Sequence, residues 1–186
     1  MRFTLTYQGD LPPKANSQKK WDIRRKFEPQ LRRLWDIPPL NGIAKYKDPN
    51  YLPNNAYVGL RKPWASKLEF VPLICKRLSL RAELDIMLLS ASSPGGIIKA
   101  GDIDNRLKTL FDALSIPVHK QQVPGTPDTC SDGRVFCLLE DDCLITEVKV
   151  SNDRLLTEED NSQNSLVIIR VRVTAFNLTL ANSGIV

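Results

Sequence analysis

The sequence predicts an α+β fold: a small mixed β-sheet with helices packed on one face. Three observations predict it. Segments near both ends of the chain alternate polar and apolar residues with a period of two, as half-buried strands do. A central segment carries an apolar stripe at helical spacing. The 186 residues, 42% hydrophobic and 25% charged, are one domain's worth of chain with enough apolar side chains for a core. The same composition excludes collagen-like, coiled-coil and wholly disordered chains. The expected organisation is one domain over 1–186, with an insertion or arm at 17–75 and a long loop at 116–134.

Residues 2–7 alternate Arg2, Thr4 and Thr6 with Phe3, Leu5 and Tyr7, a strand ended by Gly9-Asp10 and Pro12-Pro13. Asn16 is a natural helix cap, and a basic helix is expected from it to Ile37. Phe27, Leu31, Leu34 and Trp35 form its apolar stripe, while Pro29 fits a helix start better than its interior. Residues 37–72 hold six of the 13 prolines and read as a long irregular excursion. Leu78 to Leu88 alternate strictly with polar residues, giving a strand buried on one face. Ser92-Ser93-Pro94-Gly95-Gly96 then breaks the chain. After Gly101, the spacing of Leu107, Leu110, Phe111 and Leu114 predicts a helix, with Pro117 just past its end. Leu144–Val150 and Val167–Val173 are the closing strands, and no proline after Pro127 opposes their pairing.

Charge narrows the function. The net charge of +5 is uneven: residues 1–70 carry 14 Lys and Arg against 6 Asp and Glu, while residues 71–186 carry 12 against 15. A basic segment suits a phosphate backbone, because each neutralised phosphate releases condensed counterions. No apolar run approaches the roughly 18 residues of a membrane span, and the first residues lack a signal-peptide core. A cytoplasmic protein with no membrane partner is expected.

Several chemistries are excluded by what the chain lacks. Cys130, Cys137 and Cys143 are separated by six and five residues, wider than structural zinc knuckles use, and with Cys75 they read as reduced thiols. The single histidine, His119, makes paired-His metal sites impossible. No P-loop or dinucleotide glycine pattern occurs. Catalysis would have to come from carboxylates and lysines.

The densest polar information is Lys99-Ala100-Gly101-Asp102-Ile103-Asp104-Asn105-Arg106-Leu107-Lys108, running into the helix. Asp102 and Asp104 sit where the chain enters the helix, so one can cap exposed N–H groups while the other points into open space. A third carboxylate from Glu140-Asp141-Asp142 would complete an oxygen-rich site for a hard divalent cation. Asp104, Lys108 and Asp112 follow one another at four-residue spacing along one helix face. As a surface ladder they contribute a few tenths of a kcal/mol per pair. Beside a metal-bound phosphate, the Lys108 ammonium would instead stabilise charge developing on a phosphodiester.

Asp102-Ile103-Asp104-Asn105, then Lys108, then Phe111-Asp112-Ala113-Leu114, then Asp141-Asp142 before a strand, resembles the RusA-like Holliday-junction resolvases. The likeness covers 78–150 with a gap, and the opening strand with Pro12-Pro13 and Asn16 is similar to that family's N-terminus. It implies a magnesium-dependent endonuclease, active as a homodimer, that cuts branched DNA such as four-way junctions by paired nicks in recombination and repair. By position it makes Asp102, Asp104 and Asp142 metal ligands for Mg²⁺, with Mn²⁺ equally suited to oxygen donors, and Lys108 a catalytic lysine. Asp141 stays an alternative to Asp142, which keeps the better register. The chain departs from the family in two places. Twenty-seven residues separate Leu114 from Asp142 where the family uses a short turn, and Ile97-Ile98-Lys99-Ala100-Gly101 holds one basic residue where the family clusters arginines. DNA contacts are therefore expected from Lys99, Asn105 and Arg106 and from Lys19, Lys20, Arg24 and Arg25 on the arm.

Two other readings compete. Asp142 followed by Glu147-Val148-Lys149 resembles a PD-(D/E)xK nuclease pattern, with an unusually short gap. A non-catalytic module for branched or single-stranded DNA could use Trp21, Phe27 and Trp35 to stack bases, although their spacing suits a packed helix face at least as well.

Overall fold

The computed structural model describes residues 1–47, 58–61, 68–90, 103–123, 132–156 and 165–186. Lys99, Asp102 and the Ser92–Gly96 break lie outside the described residues. The fold is α+β, as the alternating segments require, but its strands divide between two sheets rather than forming one.

The larger sheet joins β1 (Arg2–Gly9), β7 (Ser165–Ala175), β4 (Leu80–Ser90) and β6 (Ile145–Arg154) in that order. β7 runs antiparallel to β1 and β4, while β6 lies parallel to β4. The alternation fixes the faces, since a slip of one residue would turn every apolar side chain outward. Leu5 and Tyr7, Leu84 and Ile86, and Val167, Ile169 and Val171 all point to one side and are buried. Arg2, Thr4, Glu83, Asp85, Arg170 and Arg172 point to the other.

Helix α1 (Ser17–Leu34) begins where Asn16 predicts it: the Asn16 side chain accepts from the Lys19 N–H at 2.8 Å. Pro29 lies inside this helix, exposed on its outer side, so the core stripe through Ile23, Phe27 and Leu31 stays intact. Gln30 reaches across to the free edge of β1. It accepts from the Thr6 N–H at 3.0 Å and donates to the Thr6 carbonyl at 2.8 Å, closing an edge that could otherwise pair with another strand.

The smaller sheet joins β2 (Leu60–Arg61), β3 (Glu69–Ile74) and β5 (Arg134–Leu139). The sequence reading missed it, placing 37–72 in an irregular excursion and ending the long loop at 134. β3 and β5 pair in parallel and every residue of β3 is buried, so neither shows alternation. Pro72 fits because β2 pairs only with Glu69 and Phe70, leaving one side of β3 free at the proline. Within the same excursion, Leu40–Lys47 form a 3-10 helix. One core lies between the inner face of the large sheet and α1, α2 (Ile103–Leu114) and one side of the small sheet; Trp21, Phe70, Ile116 and Val135 form a second. No helix among the described residues is long and apolar enough to cross a membrane.

Candidate active site

α2 carries the centre of the candidate site, and three contacts fix its position. The Arg24 guanidinium donates to the Asp112 carbonyl at 2.6 Å and to the Ser115 carbonyl at 2.9 and 3.3 Å, satisfying acceptors at the C-terminal end of the helix. The Lys20 ammonium pairs with the Asp112 carboxylate at 2.6 Å. Beyond the helix, the Ile116 N–H donates to the Leu139 carbonyl at 3.0 Å, so the chain leaving α2 runs beside the end of β5. This register brings Glu140-Asp141-Asp142 against the end of α2. Asp112, Ser115, Ile116, Asp141 and Asp142 line a cavity of about 80 Å³ there.

The three adjacent carboxylates then separate by role. Glu140 accepts from the Lys76 N–H at 2.9 Å and holds the loop between β3 and β4. Asp141 caps the 3-10 turn Asp142–Leu144, accepting from the Cys143 N–H at 2.9 Å. Hydrogen bonds from the Cys143 thiol and N–H hold the Asp141 carboxyl below the usual carboxylate range, and push the Cys143 thiol up. Asp142 is exposed and makes no ion pair among the described residues.

A similar separation runs along α2. Asp104 accepts from the Asn105 N–H at 2.8 Å and is exposed in the first turn. Lys108 is exposed one turn later, and neither makes an ion pair among the described residues. The Asp104–Lys108–Asp112 surface ladder is thus not formed: Asp112 turns to Lys20 on α1. Lys108 lies about 6 Å and Asp104 about 12 Å from Asp112 along the helix axis.

Oxygen-only donors on Asp104 and Asp142 suit a hard cation such as Mg²⁺ or Mn²⁺ in kind, but the cavity that Asp142 shares with Asp112 includes neither Asp104 nor Lys108, which stand nearer the start of α2. No three metal-ligating side chains among the described residues come close enough to hold an ion, and Asp102 lies outside them.

The arm residues do not share one fate. Arg24 is 3% exposed and its fork is spent on α2, so it is a core residue and not a DNA contact. Burial lowers its pKa, an effect that the neighbouring Cys137 thiol and Asp112 carboxylate oppose. Lys20 is engaged with Asp112, and Lys19 pairs with exposed Asp10 at 3.2 Å. Arg25, Asn105 and Arg106 are half-buried, with the Arg106 Nε enclosed and without a hydrogen-bond partner among the described residues. Trp21, Phe27 and Trp35 are 4%, 1% and 1% exposed, so their rings are core and offer no platform for bases. Glu147 and Lys149 stand on the open face of the large sheet beside Glu83 and Asp85, not in the cavity of Asp142. His119 is exposed at the start of a 3-10 turn, where its N–H donates to Gln122 at 3.1 Å.

The sequence reading missed the Lys20–Asp112 and Arg24 contacts. No local signal marks them, because the partners are about 90 residues apart. No family's sequence profile matches this chain, and no curated protein matches it.

Proposed function

We propose that this protein is a metal-dependent endonuclease acting on branched DNA. One observation carries the reading. Asp104, Lys108 and Asp142 are exposed and free of ion pairs among the described residues, while neighbouring Asp112, Glu140 and Asp141 are each committed to a structural contact. A surface ladder would have paired these charges, whereas a site keeps them open for ligands.

In this reading Asp102, Asp104 and Asp142 hold Mg²⁺ or Mn²⁺. The bound ion would polarise the scissile phosphate and activate water. Lys108 places an ammonium one turn from Asp104, able to balance charge gathering on the phosphate oxygens. Lys20 neutralises Asp112, which lowers the repulsion an approaching phosphate meets beside Asp142. Arg24 acts through α2, fixing the end of the helix that carries Asp104 and Lys108. Lys19, Lys99, Arg25, Asn105 and Arg106 stay the proposed contacts to DNA. The resemblance to the RusA-like resolvases agrees in residue types and order, and adds paired nicking by a homodimer.

The test is incubation of the purified protein with an immobile four-way junction, the matched linear duplex and a single strand, with Mg²⁺ or with EDTA. Nicking of the junction only, and only with metal, is expected. Binding without nicking would reduce the protein to a branched-DNA-binding module.

A further inference from the structure

The segment that follows β7 forms an ordered turn whose apolar tip stands in solvent. Asn182 is fully buried and pins it: its amide donates to the Leu78 and Asn177 carbonyls, both at 2.8 Å, and its oxygen accepts from the Thr179 N–H at 2.8 Å. The Ser183 N–H closes the turn onto the Thr179 carbonyl at 2.9 Å, and Ile185 is buried in the core. Held in this way, Leu178 is 78% exposed and Leu180 98%, beside exposed Phe176. The three present about 400 Å² of apolar surface, the size of the largest patch on a typical monomer and often a functional one. A single exposed leucine needs no explanation. Two on a turn fixed by a buried asparagine are ordered before any partner arrives, so binding them costs little conformational entropy.

The tip has a basic rim that leads to the candidate site. The turn rests on the loop between β3 and β4 through Asn182 and through the Phe176 N–H, which donates to the Ser79 carbonyl at 3.1 Å. That loop exposes Lys76 and Arg77, and the exposed Arg81 just beyond it lies 4.8 Å from the Phe176 ring. The same loop holds Glu140 of the acidic cavity, since the Lys76 N–H donates to its carboxylate at 2.9 Å. Lys76 to Leu78 can span at most about 11 Å, which puts the Glu140 carboxylate and the Asn182 amide within about 17 Å of each other. That is about five nucleotide steps along a strand.

We infer that Leu178 and Leu180 form a wedge that enters the base stack at the branch point of the DNA, while Lys76, Arg77 and Arg81 hold the adjoining phosphates. The inference rests on the branched-DNA reading and adds to it a contact that needs no metal. Apolar side chains inserted between base steps unstack them, at a cost in stacking energy. That cost is least where pairing is already disturbed, so a wedge favours a branch point over a continuous duplex. The cationic rim suits a phosphate backbone. Its continuity with the loop that carries Glu140 puts that backbone on a path to the candidate site.

The test places 2-aminopurine, whose fluorescence rises when it unstacks, at the branch point of an immobile four-way junction, with the matched linear duplex alongside. EDTA keeps every strand uncut. Binding of the native protein should brighten the probe about threefold or more in the junction and leave it unchanged in the duplex. Leu178→Ser combined with Leu180→Ser should abolish the brightening and weaken junction affinity about tenfold, with duplex affinity within about twofold of native. Both side chains are in solvent, so the urea midpoint of this variant should match the native one. Lys76→Gln should instead weaken junction and duplex alike, lower the salt slope by about 1 and keep the brightening. Brightening that survives loss of both leucines, a junction bound without brightening, or equal losses on junction and duplex overturns the wedge, whether or not metal-dependent nicking is found. A protein that binds neither DNA overturns the wedge together with the branched-DNA reading.

Discussion

Replacing Arg24 by Met should destabilise the fold by about 3 kcal/mol, a value set by two opposing terms. The guanidinium satisfies the Asp112 and Ser115 carbonyls through contacts of 2.6, 2.9 and 3.3 Å. Two charge-assisted acceptors contribute roughly 1.5–3 kcal/mol each. The stacking of the guanidinium 5.5 Å from the Trp21 ring adds about 1 kcal/mol. Against this, burial disfavours the charge, returning roughly 1–3 kcal/mol when the charge is removed. Methionine keeps most of the stem volume, so the loss is largely polar. With a urea slope of about 2 kcal/mol per molar, the unfolding midpoint should fall by about 1.5 M at unchanged slope. Arg24→Lys should not recover it, since a point charge cannot fork to two carbonyls. An unchanged or raised midpoint for Arg24→Met would refute the reasoning: desolvation would then cancel every bond the fork makes.

Other outcomes follow from the same contacts. Asp142→Asn should reduce metal-dependent nicking by about a hundredfold, whereas Asp141→Asn, whose side-chain oxygen can still accept the Cys143 N–H, should keep most of it; equal losses would argue against Asp142 as the ligand. Lys20→Met should cost about 1 kcal/mol in urea unfolding, because its partner is only partly shielded from solvent. Trp21→Leu and Trp35→Leu should each lower stability by about 3 kcal/mol and leave single-strand affinity unchanged in a fluorescence-anisotropy titration; a tenfold loss of affinity would restore the stacking role. Arg32 holds the Asp132 carboxyl below its ordinary pKa of 3.8, and the bonds at Cys143 do the same for Asp141. Stability from depressed carboxyls is fully present above 3.8 and lost as pH falls through the lowered values. Glu69, raised by burial, works in the opposite direction and partly offsets them. Urea midpoints measured from about pH 5 to 3 should therefore fall; a rise would mean that Glu69 dominates.

What the sequence made legible was whatever sits half in water. β1, β4 and β7 each turn one face to the core and the other toward solvent, so polar and apolar residues alternate along them, whereas β6 at the sheet edge buries none of its residues although its sequence alternates. α1 and α2 show apolar stripes for the same reason, and the Asn16 cap is local enough to be read directly. β3 and β5 are buried on both sides, and runs such as Phe70-Val71-Pro72-Leu73-Ile74 carry no period to read, only continuous apolarity interrupted by a proline. Their pairing divides the strands into two sheets.

The candidate site divides in the same way. The four-residue spacing of Asp104, Lys108 and Asp112 was visible as one helix face. That Asp112 would leave that line for Lys20, and that Glu140 and Asp141 would be used as caps, depends on contacts distant in sequence or on turn geometry. Arg24 shows the cost of reading charge without burial: it sits in the most basic part of the chain, yet it holds a helix end in the core.

The most direct test of the central claim compares native protein with Asp104→Asn and Lys108→Met on a four-way junction under single-turnover conditions, with Mg²⁺ present and each variant's junction binding measured in parallel. Paired nicks by the native protein, reduced about a hundredfold or more in both variants with binding within a few-fold of native, are the predicted result. Nicking that survives in both variants, or none by the native protein at any Mg²⁺ or Mn²⁺ concentration, would contradict the account.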